Sequence, residues 1–174
     1  MTGRDLIAIL PVLVAAYGGV SLMAASAFLR SPRFAFWSTI VILAASLATI
    51  PAAAAYAPRT VWFMIRVDGY SLLFSGIILL ASLLVTLLAG EYLKCREKRS
   101  EAFYILLLFS VTGMLLIASS AHFLTFFLGL ETLSASLYGL IGYTRRERVS
   151  LEAAIKYLVL AAASSAFLLF GIGL

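Results

Sequence analysis

Six long apolar runs, separated by short clusters of charge, divide the chain at about 6–29, 34–56, 70–94, 102–119, 122–143 and 151–174. Each is close to the roughly 20 residues that a helix needs to cross a hydrocarbon core about 30 Å thick. Apolar and polar positions do not alternate within them, so the strands of a closed barrel are not indicated. Lipid leaves helices as the other way to satisfy the backbone. The expected fold class is an all-α integral membrane protein, one transmembrane domain of six helices over residues 1–174, with no internal repeat.

The ends of the runs carry local signals. Pro11 lies early in the first run, where a proline is tolerated. The second opens with Trp37 at interface depth and closes on PAAAAYAP, where Pro51 and Pro58 predict a kinked or frayed end. After a short segment, Asp68 is a plausible N-cap for the third helix; Ser100, with Glu101 in the first turn, fits the start of the fourth, and Ser150 that of the sixth. The first run is longer and less basic at its start than a signal peptide and lacks a convincing cleavage site, so it reads as a mature helix.

Composition agrees with this pattern. Hydrophobic residues make up 63% and charged ones 12%, with mean hydropathy +1.07, whereas a soluble globule is nearer 45–50% apolar and about 25% charged. The net charge of +5 raises nucleic acid as a partner, but the positions of the basic residues favour the bilayer instead. The loops after helices one, three and five hold nine: Arg30, Arg33, Lys94, Arg96, Lys98, Arg99, Arg145, Arg146 and Arg148. The opposite side holds three: Arg4, Arg59 and Arg66. This positive-inside bias predicts an outside N-terminus, with TRRERV as an orientation signal or docking surface on the cytoplasmic side. The single cysteine, Cys95, falls in a charged loop and excludes an internal disulfide or cysteine cluster. No metal set, phosphate loop or nucleophile triad is present.

Two ionisable residues stand inside apolar runs. Glu131 is nine residues after His122 and twelve before Tyr143, roughly 18 Å from the cytoplasmic end of its helix. Phe127, Ser134, Ala135 and Tyr138 share its face. Burial raises a glutamate's pKa and a nearby ammonium lowers it, so this group is a candidate proton site; the alternative is a carboxyl that holds helices together. Lys156 lies about six residues inside the sixth helix, roughly 9 Å deep, where it can snorkel or pair with Glu152 one turn earlier. Its depth differs from that of Glu131 by roughly 9 Å, close enough for electrostatic coupling without a tight salt bridge. His122 is a further candidate proton carrier by residue type, since histidine is the side chain suited to that role near neutral pH, but its place at a helix end suits a cap or interfacial residue.

The segments HFLTFFLGLETLSASLYGLIGY and SLEAAIKYLVLAAASSAFLLFGIGL, with EYL after the third helix, resemble the antiporter-like membrane subunits of bacterial complex I, the proton-pumping NADH:quinone oxidoreductase. The same family includes subunits of multisubunit sodium/proton antiporters. The resemblance implies a fourteen-helix fold, of which this chain supplies the first six, and places Glu131 and Lys156 on a polar axis that carries protons. It implies no cofactor in this chain: NADH, FMN, iron–sulfur clusters and quinone belong to partner subunits. It further implies other membrane subunits as partners, a multi-pass position in the bacterial inner membrane, and a role as one component of a translocase, with no complete active site here. The chain stops inside or just after helix six, so a truncated product, split gene or fragment is expected, and a complete proton path would need the missing half. A cation/proton antiporter subunit and a non-catalytic scaffold are the alternatives.

Overall fold

The computed structural model describes residues 3–29, 31–96, 100–143 and 148–174, the side chains of 94–96 excepted. Helices α1 (Gly3–Ala8) and α2 (Leu10–Phe28) form the first span, α3 (Pro32–Ala48) and α4 (Ile50–Ala54) the second. After strands β1 (Arg59–Val61) and β2 (Ile65–Val67) come α5 (Gly69–Arg96), α6 (Glu101–Ala118), α7 (Phe123–Ile141) and α8 (Arg148–Gly173). The chain is a multi-pass membrane protein: among the described residues, six helical stretches are long and apolar enough to cross a bilayer.

The prolines set the interruptions. Pro11 and Pro51 each occupy the second residue of a helix, and the turns at Ile9 and Thr49 precede them. A proline has no N–H to donate and its ring crowds the preceding turn, so the break falls just before it. The expected single helix 6–29 therefore begins at Gly3 and is interrupted at Ile9.

Helix α6 occupies the middle. Tyr104, Leu107, Leu108, Val111 and Leu115 are all buried, and pack with Ala15 and Leu22 of α2, Ala35 and Leu43 of α3, and Leu79 and Leu93 of α5. Helix α8 is peripheral and largely exposed, and packs chiefly on α7. Buried hydroxyls within the spans bond back to their own helices: Thr39 Oγ1 donates to the Ala35 carbonyl at 2.8 Å and Thr112 Oγ1 to that of Leu108 at 2.9 Å. Ser46 Oγ donates across to the Pro11 carbonyl at 2.7 Å and joins α3 to α2. In lipid each such bond removes a polar group that would otherwise be unmatched.

The helix starts behave differently from one another. Asp68 Oδ1 accepts from the Ser71 N–H and Ser71 Oγ accepts from the Asp68 N–H, both at 2.9 Å, a reciprocal cap on α5. Asp68→Ala is expected to lower thermal stability by about 1 kcal/mol, read by melting the purified protein in detergent. Ser100 stands at the N-cap of α6 but its side chain makes no capping bond. Ser150 is not a cap: α8 starts two residues earlier, at Arg148, and Ser150 Oγ donates instead to the carbonyl of Ile141 at the end of α7. Likewise α5 continues to Arg96, so Cys95 belongs to its last turn, not to a loop; Glu91, Leu93, Lys94 and Arg96 are good helix formers with nothing to stop them. Most of TRRERV, residues 144–147, lies outside the described residues, as do Arg30, Lys98 and Arg99.

The segment after α4 folds as a small antiparallel hairpin, an addition to the expected all-helical architecture. Its register pairs Arg59 with Val67 and Val61 with Ile65. The turn closes with the Met64 N–H donating to the Val61 carbonyl at 3.1 Å, and its central residues, Trp62 and Phe63, have φ of 54° and 57°. Such turns normally take Asn-Gly, because a bulky side chain at positive φ costs about 1–2 kcal/mol. Replacing Trp62 by Asn together with Phe63 by Gly is expected to raise stability by about 2 kcal/mol; an unchanged melting temperature would show the turn to be unstrained. The hairpin also fastens the bundle's end. The Arg66 N–H donates to the Ser119 carbonyl at 2.8 Å, and the Ala121 N–H to that of Met64 at 2.9 Å, which pins the α6–α7 turn. Arg59 pairs with Asp5 of α1.

Candidate functional site

Helices α6 and α7 approach backbone to backbone, because glycines face each other across the seam. A Cβ on Gly113 would stand 2.7 Å from the Leu133 nitrogen and 2.8 Å from the Gly129 carbonyl oxygen; one on Gly129 would stand 3.1 Å from the Gly113 oxygen. This small-residue contact gives α7 a fixed rotation. Gly129 and Leu133 then face α6, and Glu131, two residues from each, is turned well away from that seam, since successive residues advance by about 100°.

Glu131 is eight residues from the start of α7 and ten from its end, so it is close to the helix midpoint. Its Oε1 is buried without a hydrogen-bond partner, the only side-chain nitrogen or oxygen in that condition among the described residues. An unmatched carboxylate oxygen in the interior costs more than an unmatched hydroxyl, and more still when ionised. Every buried hydroxyl cited above is bonded, so the exception falls on the one acid at mid-depth.

The register of α7 against α8 decides what stands beside it. The rings of Tyr138 and Tyr157 lie 6.0 Å apart, centre to centre, and a Cβ on Gly142 would meet Cβ of Ala154 at 3.1 Å. In an antiparallel pair these contacts place Glu131 level with Ser164 and Ser165, and Lys156 level with Gly139 and Leu140. The two ionisable residues are thus separated by about nine residues of helix, roughly 13 Å along the axis, more than the 9 Å expected from the sequence. The difference arises because the first turn of α8 extends past the end of α7.

Nor do their faces meet. Ala154, Tyr157, Ala161, Ser165 and Leu168 form the half-buried or buried stripe of α8, and Lys156 is off that stripe by about 100°. It pairs with Glu152 one turn away, both side chains largely exposed at 70% and 64%. Ser134 and Tyr138 do share the Glu131 side of α7. Ser134, Tyr157, Ser164 and Ser165 line an open cavity of about 400 Å³ between α7 and α8, whose remaining wall is apolar, chiefly Leu130, Leu160 and Leu168. Sequence reasoning missed Ser164 and Ser165, although an adjacent serine pair about two turns beyond Tyr157 was visible. His122 caps α7: its Nδ1 accepts from the Leu124 N–H at 3.2 Å. Among the described residues, no three of His, Cys, Asp or Glu are grouped to hold a metal.

Comparison with known proteins agrees with the fold. The family model described as NADH:quinone oxidoreductase/Mrp antiporter, TM matches residues 120–174, which contain both Glu131 and Lys156. NADH-quinone oxidoreductase subunit N of Methylococcus capsulatus is 45% identical over all 174 residues of this chain, which span 35% of that relative. In structure, the chain is similar to a chain of respiratory complex I from Thermus thermophilus, solved with bound aureothin. The TM-score is 0.78 at 32% identity, over 92% of this chain and 35% of that one. The resemblance drawn from the GLE and IKY segments is therefore borne out, and the chain spans about a third of the length of the relatives it matches.

Proposed function

We propose, with likeness to the antiporter-like membrane subunits of NADH:quinone oxidoreductase as the premise, that this chain is the N-terminal portion of such a subunit and that Glu131 takes up and releases protons in it. Quinone reduction in partner subunits, which hold NADH, FMN, iron–sulfur clusters and quinone, supplies the energy. The observation that carries this reading is the buried, unpartnered Oε1 of Glu131 at mid-membrane. A carboxyl kept for helix packing would be expected to spend that oxygen on a hydrogen bond, as the neighbouring hydroxyls do. A group left unmatched is poised to change its charge when water or a counter-charge reaches it.

The cavity between α7 and α8 supports the same reading, because the hydroxyls of Ser134, Tyr157, Ser164 and Ser165 stand on its otherwise apolar wall and it is roomy enough for water at the level of Glu131. Lys156 with Glu152 forms a second charged station, nearer the basic end of the bundle. Direct transfer between the stations is excluded by their spacing, so water or groups from the rest of the protein complete the path. The nine-to-three distribution of basic residues orients the N-terminus and the hairpin outward across a bacterial inner membrane. Other membrane subunits and the bilayer are the partners.

A second reading, a cation/proton antiporter subunit driven by an existing gradient, is favoured by the breadth of the matching family description. The two differ in energy source. Vesicles holding the intact complex are expected to acidify or alkalinise on quinone reduction without added sodium; translocation that needs a sodium gradient and ignores quinone would favour the antiporter.

A further inference from the structure

At the hairpin end of the bundle a groove of about 570 Å³ opens between α5, α6 and α7. It is separate from the cavity between α7 and α8. Its polar groups are gathered at the mouth, where Arg66 and Asp68 pair at 3.3 Å between Nε and Oδ2. Below them the walls are apolar: Phe74 and Ile78 from α5, Ile117 from α6, and Leu133 at the deepest point on α7. Phe74 and the neighbouring Tyr70 are exposed, so the groove opens at the surface of the six-helix bundle.

We propose that this groove binds one acyl chain of a phosphatidylethanolamine, whose headgroup sits on the Arg66–Asp68 pair. Depth is the first reason. Ile78 is nine residues from the start of α5 and Leu133 ten from the start of α7, so the groove descends roughly 14–15 Å. That is half of the roughly 30 Å hydrocarbon core, the depth of one leaflet. A free phosphate or other small polar solute would leave these walls unfilled, and a volume within the 300–1,000 Å³ common for ligand sites suits a chain.

Charge is the second reason. The Arg66 side chain is 64% exposed, and its guanidinium retains N–H donors beyond the Nε that faces Asp68. A lipid phosphate takes those donors, while the carboxylate of Asp68 accepts from the ethanolamine ammonium. The pair is neutral as a whole and matches a zwitterion. An anionic glycerol headgroup would find the same phosphate site but meet the Asp68 charge with no cation to offset it.

The test is native mass spectrometry of the intact complex during stepwise delipidation, together with photolabelling by phosphatidylethanolamine carrying a diazirine on its acyl chain. The wild type is expected to retain one phosphatidylethanolamine after bulk lipid is gone, with adducts on Phe74, Ile78 or Met114. Ile78→Trp, which fills the groove, is expected to lower retention at least tenfold, and Arg66→Gln severalfold. Equal retention by both variants, or adducts confined to other surfaces, would overturn the site. Displacement by an equal concentration of phosphatidylglycerol would overturn the headgroup assignment. Should Ile78→Trp fail to assemble, the adduct map on the wild type decides the matter alone.

Discussion

Replacing Glu131 by Gln in the intact complex is expected to lower proton translocation per quinone reduced by about tenfold or more, a smaller factor than the roughly 10²–10⁴-fold that a positioned acid–base group contributes to a rate. The amide keeps the shape of the side chain but cannot exchange a proton. Stability is expected to move the other way or not at all, because Gln removes an acid whose Oε1 is buried without a partner and whose ionised form is the costly one. That pairing of outcomes separates transport from scaffolding. A glutamate that serves only to hold α7 against its neighbours would show the reverse, with assembly or melting temperature impaired and the activity of the surviving complex normal. Pumping in vesicles and thermal unfolding of the same preparation read the two together.

The largest structural effect is expected at the α6–α7 seam. Gly113→Val would put its Cβ 2.7 Å from the Leu133 nitrogen and 2.8 Å from the Gly129 carbonyl. Both are backbone atoms of a helix, so no side chain can turn aside and the helices must separate. Overpacking a well-filled interior usually costs about 1–3 kcal/mol, and a backbone clash belongs at the upper end. The expected result is loss of assembled protein from the membrane, or a melting temperature lowered by many degrees. Gly139→Val, by contrast, meets only the side chain of Leu106, which can shift, and is expected to be milder. Equal tolerance of both would mean that the glycine seam does not fix the position of α7, and with it the orientation of Glu131.

Much of this architecture is legible in the chain itself, for a physical reason. In lipid a span must be helical and about 20 residues long, so the six apolar runs leave little choice of element. The Asp68 cap and the breaks before Pro11 and Pro51 rest on equally local chemistry. The hairpin was hidden because WFM, between β1 and β2, carries none of the Asn or Gly that a turn at positive φ normally uses. Its fold is imposed from outside, by hydrogen bonds to the α6–α7 turn. The start of α8 was misplaced because Ser150 looks like a cap, whereas its hydroxyl serves the end of α7.

The candidate site was legible in part. Glu131 announces itself as a lone acid in an apolar run, and the unpartnered burial of its Oε1 adds to that signal. Its relation to Lys156 was not legible. Depth along two helices depends on their register, which here is set by Tyr138 against Tyr157 and Gly142 against Ala154, and facing depends on rotation, which the glycine seam fixes. Neither quantity is a property of spacing within one helix. The serine pair that lines the cavity gains its meaning from the same register.

The measurement that bears most directly on the central proposal is infrared difference spectroscopy of the intact complex, poised before and during turnover, for the wild type and for Glu131→Gln. If Glu131 carries protons, the wild type will show a carboxylic acid carbonyl band that changes with turnover and shifts on isotopic labelling of glutamate, and the Gln variant will lack it. An identical set of carboxyl bands in the two proteins would mean that Glu131 holds one protonation state throughout, and would contradict its role as a proton carrier.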